Sequence, residues 1–234
     1  MTKIPVVAIV GPTAVGKTKL SIEIAKKFNG EIISGDSMQI YRGLDIGTAK
    51  VKREEMEGIP HYMLDIKEPQ DSFSVAEFKE KVEQHIKDID NRHLLPILVG
   101  GTGLYIQSTL YGFNFSEHKR DPAFEEKIRK QIEEEGITPI YEKLKSVDSE
   151  QAKNIHPNNI RRVIRALEVY EQTGKTMSEL QAEQQKVESP YAPILIGLEM
   201  EREELYRRIN KRIDQMLDEG LLEEVKALYD KGLK

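Results

Sequence analysis

The chain has 234 residues, enough for one α/β domain or for a core that carries an inserted domain. A hydrophobic content of 38% and a charged content of 32% are typical of a globular protein, and no apolar run is long enough to cross a membrane. The net charge of −5 does not favour nucleic-acid binding, and the lack of cysteine excludes disulfides and zinc–thiolate sites. The scattered histidines lack ligand spacing, so we expect no transition metal and a cytoplasmic protein.

The first predicted strand, at 6–10, leads directly into the sequence GPTAVGKT at 11–18, which we call the phosphate loop. It fits the pattern G-x-x-x-x-G-K-[ST] at every fixed position, and a helix is predicted at 19–28. Glycines let backbone N–H groups converge on an anion, Lys17 extends to its oxygens, and Thr18 offers a hydroxyl to Mg²⁺. The predicted site for a diphosphate or polyphosphate consists of Gly11, Pro12, Thr13, Ala14, Val15, Gly16, Lys17 and Thr18.

A second polar segment, at 34–41, follows the predicted strand at 31–34 and is called the Asp36 loop. Ligands of open parallel sheets gather at the carboxyl ends of strands, where Asp36 is expected. Its carboxylate suits a general base or a group that positions Mg²⁺, and it suits a turn or helix cap equally well. The segment 45–50 by itself is predicted to be a surface loop.

A third segment, called the glycine loop, contains Gly100, Gly101, Thr102 and Gly103 and follows a predicted helix at 75–90 and a predicted strand at 94–99. Glycines here permit either close approach to a ligand or a tight structural turn. Ordinary P-loop ATPases end a strand with an aspartate that helps to hold Mg²⁺. Here that strand ends in glycines and Asp65 is a poor substitute, so simple ATP hydrolysis is disfavoured.

Residues 116–189 are helix-periodic and poor in strands, whereas the chain returns to a strand at 194–198 and helices at 201–219 and 221–231. Helices within the middle region are predicted at 122–135, 138–144, 149–154, 159–172 and 177–185. The alternation elsewhere predicts an α/β fold, a P-loop NTPase-like parallel sheet with helices on both faces. The predicted domains are a core of 1–115 with 190–234 and an all-helical insertion of 116–189.

Two arginine clusters have helical spacing. Arg161 and Arg165 lie at i and i+4 with Arg162 beside them, which suits either a phosphate backbone or ion pairs with neighbouring glutamates. Arg208 and Arg212 have the same spacing. One of them can clamp a diphosphate if the helix covers the site, but spacing alone favours surface salt bridges.

Taken together, these motifs resemble the tRNA dimethylallyltransferases, also called tRNA isopentenyltransferases. The resembling segments, in family order, are GPTAVGKT (11–18), SGDSMQIYRGLDIGTAK (34–50), HYMLDI (61–66), PILVGGTGLY (96–105), HPNNIRRVIRALEVYEQTGK (156–175) and RINKRIDQMLDEG (208–220). The resemblance implies transfer of a dimethylallyl group from dimethylallyl diphosphate to N6 of the adenosine adjacent (3′) to the anticodon in tRNA. Family members usually extend beyond the position of Lys234, so the resemblance implies a shortened chain.

The resemblance also implies roles for individual residues. Asp36 is expected to act as general base, while Lys17, Arg212 and Mg²⁺ on Thr18 stabilise the diphosphate. The implied tRNA contacts are Asp36, Ser37, Met38, Gln39, Thr102, Arg161, Arg162, Val163, Ile164 and Arg165. The helical insertion is expected to hold the anticodon stem-loop of a tRNA, with the protein a monomer that does not bind membranes.

Three alternatives share parts of this pattern. An adenylate isopentenyltransferase uses the same donor with a free adenine nucleotide, but it needs no helical insertion with an HPNN-RR segment. A small-molecule P-loop kinase shares the fold and the phosphate loop. A nucleotide-binding switch is disfavoured because the Asp36 loop and the glycine loop would then have no role.

Overall fold

The structure is a computed structural model that describes residues 3–101, 103–111, 121–184 and 189–233. The chain divides into two compact units. One, called the core unit, comprises Met1–Tyr111 and Ser189–Lys234, and the other, called the helical unit, comprises Gly112–Glu188.

The core unit is built on a five-stranded parallel sheet. Its strands are β1 (Ile4–Val10), β2 (Gly30–Ser34), β3 (His61–Tyr62), β4 (Leu95–Gly100) and β5 (Tyr191–Gly197), arranged in the order β3-β2-β4-β1-β5. Val7 of β1 lies in register with Ile97 of β4 and Ile194 of β5. Because β1 is covered on both faces, its sequence is almost continuously apolar. Strand β3 was not predicted, since two residues carry no periodicity.

The helices that the structure describes agree closely with the predicted ones, except that α3 had no predicted range. In chain order they are α1 (Lys17–Phe28), α2 (Val75–Asn91), α3 (Gly103–Leu110), α4 (Pro122–Glu135), α5 (Ile137–Val147), α6 (Ser149–Asn154), α7 (Ile160–Thr173), α8 (Met177–Gln184), α9 (Arg202–Asp218) and α10 (Leu221–Asp230). In the described ranges, none combines the length and apolar character that a bilayer crossing requires.

Both faces of the sheet carry a hydrophobic core, as an α/β sheet requires. On one face, Phe78 and Ile86 of α2 pack with Ile33 and Leu98 of the strands. On the other face, α1 contributes a second set of apolar side chains, which includes Ile22. The two layers fix the carboxyl ends of β1, β2 and β4 side by side, where the three polar loops begin.

The helical unit has a core of its own. Val163 and Ile164 of α7 are 0% and 3% exposed and pack with Leu144 and Ile128. Their expected contact with tRNA is therefore corrected to a packing role, because buried side chains have no surface to offer. Arg165 donates to the buried carboxylate of Glu168 at 2.6 Å, which is the ion pair that the sequence left open.

Candidate active site

A cavity of about 380 Å³ lies in the core unit at the carboxyl edge of the sheet. The phosphate loop, the Asp36 loop, the glycine loop and α9 all contribute to it, together with residues 47–49 of the segment 45–49, which we call the Asp45 loop. Polar and glycine positions of its lining include Thr13, Lys17, Thr18, Ser34, Asp36, Gln39, Thr48, His61, Gly100, Gly101 and Arg212. The structure thus brings together side chains that the sequence placed on separate loops.

The phosphate loop has the backbone that its glycines predict. Gly11 has a φ of 151°, and a Cβ there would lie 2.6 Å from the carbonyl oxygen of Leu198. Gly16 has a φ of 104° at the start of α1, a conformation that favours glycine. The Lys17 ammonium donates to the carbonyls of Gly11 at 2.9 Å and Pro12 at 2.7 Å, so it closes over the loop.

Burial and neighbouring charges shift the pKa values of two cations in the cavity, Lys17 and Arg212. Burial lowers the pKa of Lys17, the Asp36 carboxylate opposes this shift, and Arg212 adds to it. Burial also lowers the pKa of Arg212, again against the effect of Asp36. Two cations that are partly desolvated gain most from an anionic ligand, so this part of the cavity favours a diphosphate.

Asp36 makes a local turn and still faces the cavity. Its Oδ1 accepts a hydrogen bond from the Met38 N–H at 2.8 Å, which is the turn-forming role that the sequence allowed. A carboxylate can accept about four hydrogen bonds, so this contact leaves acceptor capacity for a ligand. The turn and a catalytic role are therefore compatible.

The amide of Gln39 is fixed in orientation. Its Nε2 donates to the carbonyl oxygens of Thr48 at 3.2 Å and Ala49 at 3.4 Å, while its Oε1 accepts from the Ser34 hydroxyl at 3.2 Å. Met38 also lines the cavity and is 47% exposed, whereas Ser37 is half-buried beside it. The Asp36 loop therefore presents a carboxylate, a thioether and an oriented amide.

The glycine loop touches the Asp36 loop through its backbone. A Cβ at Gly100 would lie 2.5 Å from the carbonyl oxygen of Gly35, and the Gly35 N–H donates to Val99 at 2.7 Å. Gly100 thus serves the tight structural packing that the sequence left open, while Gly101 faces the phosphate loop with its Cβ position 4.0 Å from Lys17 Nζ. Thr102 lies outside the described residues.

The arginines of α9 divide into two kinds. Arg207 and Arg208 both pair with Glu204, at 2.7 and 3.1 Å, on the exposed side of the helix. Arg212 instead donates from a terminal nitrogen to the carbonyl oxygen of Thr48 at 3.4 Å, and its buried Nε has no hydrogen-bond partner among the described residues. Buried donors are normally satisfied, so this N–H is expected to bind a ligand or water.

Sequence reasoning missed several lining residues. His61 donates from Nδ1 to the Ile59 carbonyl at 2.8 Å, and burial lowers its pKa. Its Nε2 is buried and has no hydrogen-bond partner in the part of the chain that the structure describes. On α9, the apolar side chains of Ile209, Ile213 and Met216 line the cavity with Arg212. Their i, i+4, i+7 spacing was the available signal for this face.

The cavity fits a magnesium ion that is held chiefly by a phosphorylated substrate. Thr18 and Asp36 supply a hydroxyl and a carboxylate to the same cavity. Within the described ranges, no group of three or more His, Asp or Glu side chains is arranged to hold a metal. Mg²⁺ commonly takes one or two protein ligands plus waters and phosphates, so this sparse donor set is suitable. Asp65, weighed from the sequence as a substitute, is paired with Lys50 at 2.6 Å.

Comparison with known proteins supplies the family. The family model for IPP transferase matches residues 39–234. The tRNA dimethylallyltransferase of Bacillus cytotoxicus is 62% identical over 98% of this chain, which covers 72% of that relative. This chain belongs to the IPP transferase family.

Solved structures agree with that assignment. The full-length tRNA isopentenylpyrophosphate transferase of Bacillus halodurans is 50% identical to this chain, and the two structures superpose with a TM-score of 0.69. The match covers 99% of this chain and 72% of the Bacillus halodurans chain. A eukaryotic dimethylallyltransferase, whose crystal structures show it acting on tRNA, is 37% identical to this chain with a TM-score of 0.80. That match covers 97% of this chain and 56% of the eukaryotic chain.

Family membership confirms three predictions from the sequence: the resemblance itself, the transferase class, and the P-loop-like α/β fold with a helical domain. The relatives are named for prenyl transfer to tRNA, which agrees with the predicted reaction. A small-molecule kinase is thereby disfavoured.

Proposed function

We propose that this chain transfers a dimethylallyl group from dimethylallyl diphosphate to N6 of the adenosine adjacent (3′) to the anticodon in tRNA. The observation that carries the proposal is that the cations Lys17 and Arg212 and the carboxylate of Asp36 line one cavity. Such a site can bind an anionic leaving group and take a proton from a nucleophile. The names of the relatives, tRNA dimethylallyltransferases, supply the substrates.

The phosphate loop is proposed to hold the diphosphate of the donor. The Lys17 ammonium has three donors, of which two now contact Gly11 and Pro12, and Arg212 adds its buried Nε–H. Both cations would stabilise the negative charge that grows on the departing oxygen. Mg²⁺, held by Thr18 and the phosphates, would neutralise part of the same charge when bound.

Asp36 is proposed as the general base. The N6 nitrogen of the acceptor forms a bond to C1 of the allylic chain, and the C1–O bond breaks with its electron pair leaving on the diphosphate. N6 then loses a proton to the Asp36 carboxylate. The hydrogen bond from the Met38 N–H keeps this carboxylate oriented toward the cavity.

The acceptor adenosine is proposed to enter the cavity as a flipped base, because a stacked N6 is out of reach. Met38 and the fixed amide of Gln39 are well placed to contact it. We propose, from the resemblance to the family, that Ser37 and Thr102 also contact the base. The apolar side chains on α9 suit the five-carbon chain of the donor.

We propose residues 116–189 as the insertion domain that binds tRNA. Arg161 and Arg162 are exposed in the first turn of α7, where arginines can reach phosphate oxygens. Arg165 keeps its ion pair with Glu168 and contributes less positive charge. We further propose that the enzyme works as a monomer in the cytoplasm.

The deciding experiment offers dimethylallyl diphosphate and Mg²⁺ with three acceptors in parallel: an unmodified anticodon stem-loop, AMP and ATP. We expect the stem-loop alone to gain the mass of one dimethylallyl group. Gain on AMP would identify an adenylate isopentenyltransferase. If the stem-loop does not react, a full unmodified tRNA is offered in its place, and failure of both RNAs to react would contradict the proposal.

A separate binding measurement tests the role of the helical unit. The double variant Arg161→Ala/Arg162→Ala should weaken stem-loop binding and reduce its salt slope by about 1 for each phosphate that an arginine no longer neutralises. Lys130→Ala, at an exposed position of α4, is the matched control. Equal stem-loop affinity in both variants would place the tRNA contact elsewhere.

A further inference from the structure

The carboxylate of Glu224, in α10, binds three consecutive backbone N–H groups of the Asp45 loop. Oε2 accepts from Asp45 at 2.9 Å and Ile46 at 2.7 Å, and Oε1 accepts from Gly47 at 2.9 Å. Successive N–H groups of this kind form a concave anion site, and hydrogen bonds to a charged acceptor are the stronger ones. A loop that looks like a surface feature in the sequence is therefore held by a side chain 179 residues away.

The other end of the Asp45 loop forms a wall of the cavity. Gly47, Thr48 and Ala49 line it. The carbonyl oxygen of Thr48 accepts from Gln39 at 3.2 Å and from Arg212 at 3.4 Å. The position of this loop therefore helps to orient the side chains of Gln39 and Arg212.

We propose that Glu224 is a positioning residue, which fixes the Asp45 loop so that the Thr48 carbonyl holds Arg212 and Gln39 in the cavity. The inference rests on the proposed function for the roles of those two side chains. Because no described residue bonds to the buried Arg212 Nε, its direction depends on the contacts made by the rest of the guanidinium. A shift of the Thr48 carbonyl would therefore change where Arg212 can donate.

Other contacts hold the Asp45 loop without replacing Glu224. Lys50, with a side chain only 6% exposed, ties the Asp45 carboxylate to Asp65. The pair Lys52–Glu219, at 2.8 Å, is about half exposed and so contributes little. Both contacts are ion pairs between side chains, and in neither does a side chain accept a hydrogen bond from the three N–H groups that Glu224 binds.

The experiment compares Glu224→Gln, Glu224→Asp and the control Glu223→Gln, the exposed neighbour on the same helix. The glutamine keeps the shape but turns a donor toward other donors. We expect amide hydrogen exchange at Asp45, Ile46 and Gly47 to become about tenfold faster in Glu224→Gln, as loss of a charge-assisted hydrogen bond implies. Glu224→Asp should be intermediate, and the control should match the parent protein.

Binding of inorganic pyrophosphate, measured by calorimetry, separates positioning from a general loss of structure. Glu224→Gln should weaken it about tenfold, the loss expected when a charged hydrogen bond is removed. In an Arg212→Lys background the same substitution should weaken it little further, because residues that act through one another are not additive. Full additivity, or unchanged amide exchange, would overturn the proposal.

Neither measurement needs RNA or turnover, so the outcome is independent of the proposed reaction. A parent protein that binds pyrophosphate but does not modify RNA would contradict the proposed function and leave this inference to be decided by the variants. A parent protein that does not bind pyrophosphate would overturn the role of Arg212 and this inference together.

Discussion

Arg212 donates to the carbonyl oxygen of Thr48, a contact that joins α9 to the Asp45 loop within the lining of the cavity. The contact spans 164 positions of the chain. It explains why one arginine of α9 belongs to the site while Arg207 and Arg208 pair with Glu204 at the surface. Chemically matched residues in such different surroundings provide controls for one another.

Substitution of Asp36 by asparagine should slow the chemical step and leave donor binding almost unchanged. The amide oxygen can still accept from the Met38 N–H, but it cannot take a proton from N6. Loss of a general base costs about 10²–10⁴-fold in kcat. Single-turnover kinetics with a separate donor Kd check this, with Asp88→Asn on α2 as control. Weaker donor binding at an unchanged rate would make Asp36 a binding group.

Arg212→Lys and Arg208→Lys should have unequal effects. Both keep the positive charge, but lysine cannot contact Thr48 and a diphosphate with one planar group. We expect Arg212→Lys to lower kcat by about 10²-fold, which is typical for removing one donor to a developing anion. Arg208→Lys should have little effect, since its partner Glu204 is at the surface. Steady-state kinetics of both variants test this contrast. Equal losses of kcat would show that Arg212 has no special role in binding the diphosphate.

Gly100→Ala should impair the site, and Gly103→Ala should not. The new methyl group at position 100 would lie 2.5 Å from the Gly35 carbonyl oxygen, so the glycine loop and the Asp36 loop must separate. At Gly103 no atom of the other described residues lies within 4 Å of the Cβ position, its chain neighbours and its own helix backbone aside. Overpacking of this kind costs about 1–3 kcal/mol in the free energy of unfolding. Urea unfolding and kcat of the two variants test the contrast.

Two histidines should make the core unit less stable in weak acid. Burial lowers the pKa of His61 and of His85, which stacks on Tyr62 with ring centroids 4.6 Å apart. In the unfolded chain both histidines take up protons near pH 6.5, whereas in the folded chain they do so only at a lower pH. Their contribution to stability is thus complete above about pH 6.5 and is lost as the pH falls toward the lower pKa values of the folded state.

The variant His85→Phe keeps a ring against Tyr62 and removes one of these protonations. Its free energy of unfolding, measured by urea titration from pH 8 to pH 5, should fall less steeply with acid than that of the parent protein. The two curves should diverge below about pH 6.5. Parallel curves would show that His85 does not contribute to the pH dependence.

Local patterns predicted most of the fold. Helix α4 begins where the sequence places it, because Asp121 caps its first turn and Pro122 suits the first helical position. Helices α4, α5 and α7 each carry an apolar face that packs in the core of the helical unit, and this periodicity is visible in the sequence. The two-residue strand β3 was missed, since its pairing with β2 is a tertiary contact that no short pattern encodes.

The tRNA contacts predicted at 161–165 treated five consecutive residues of a helix as one surface. Adjacent residues of a helix point in different directions, so Arg161 and Arg162 are exposed while Val163 and Ile164 form the core. Apolar periodicity could have separated them. The roles of the exposed arginines stay a prediction.

The sequence alone identified the phosphate loop and the family. An anion-binding loop of this kind needs glycines, a lysine and the start of a helix within eight consecutive residues, which a short motif records. Side chains from distant elements carry no such signature. Arg208 and Arg212 look alike in the sequence, and only packing shows that Arg212 reaches Thr48. Glu224 resembles its neighbour Glu223 until the fold places it against three backbone N–H groups. Tertiary structure alone decided both cases, since each depends on where two remote segments meet.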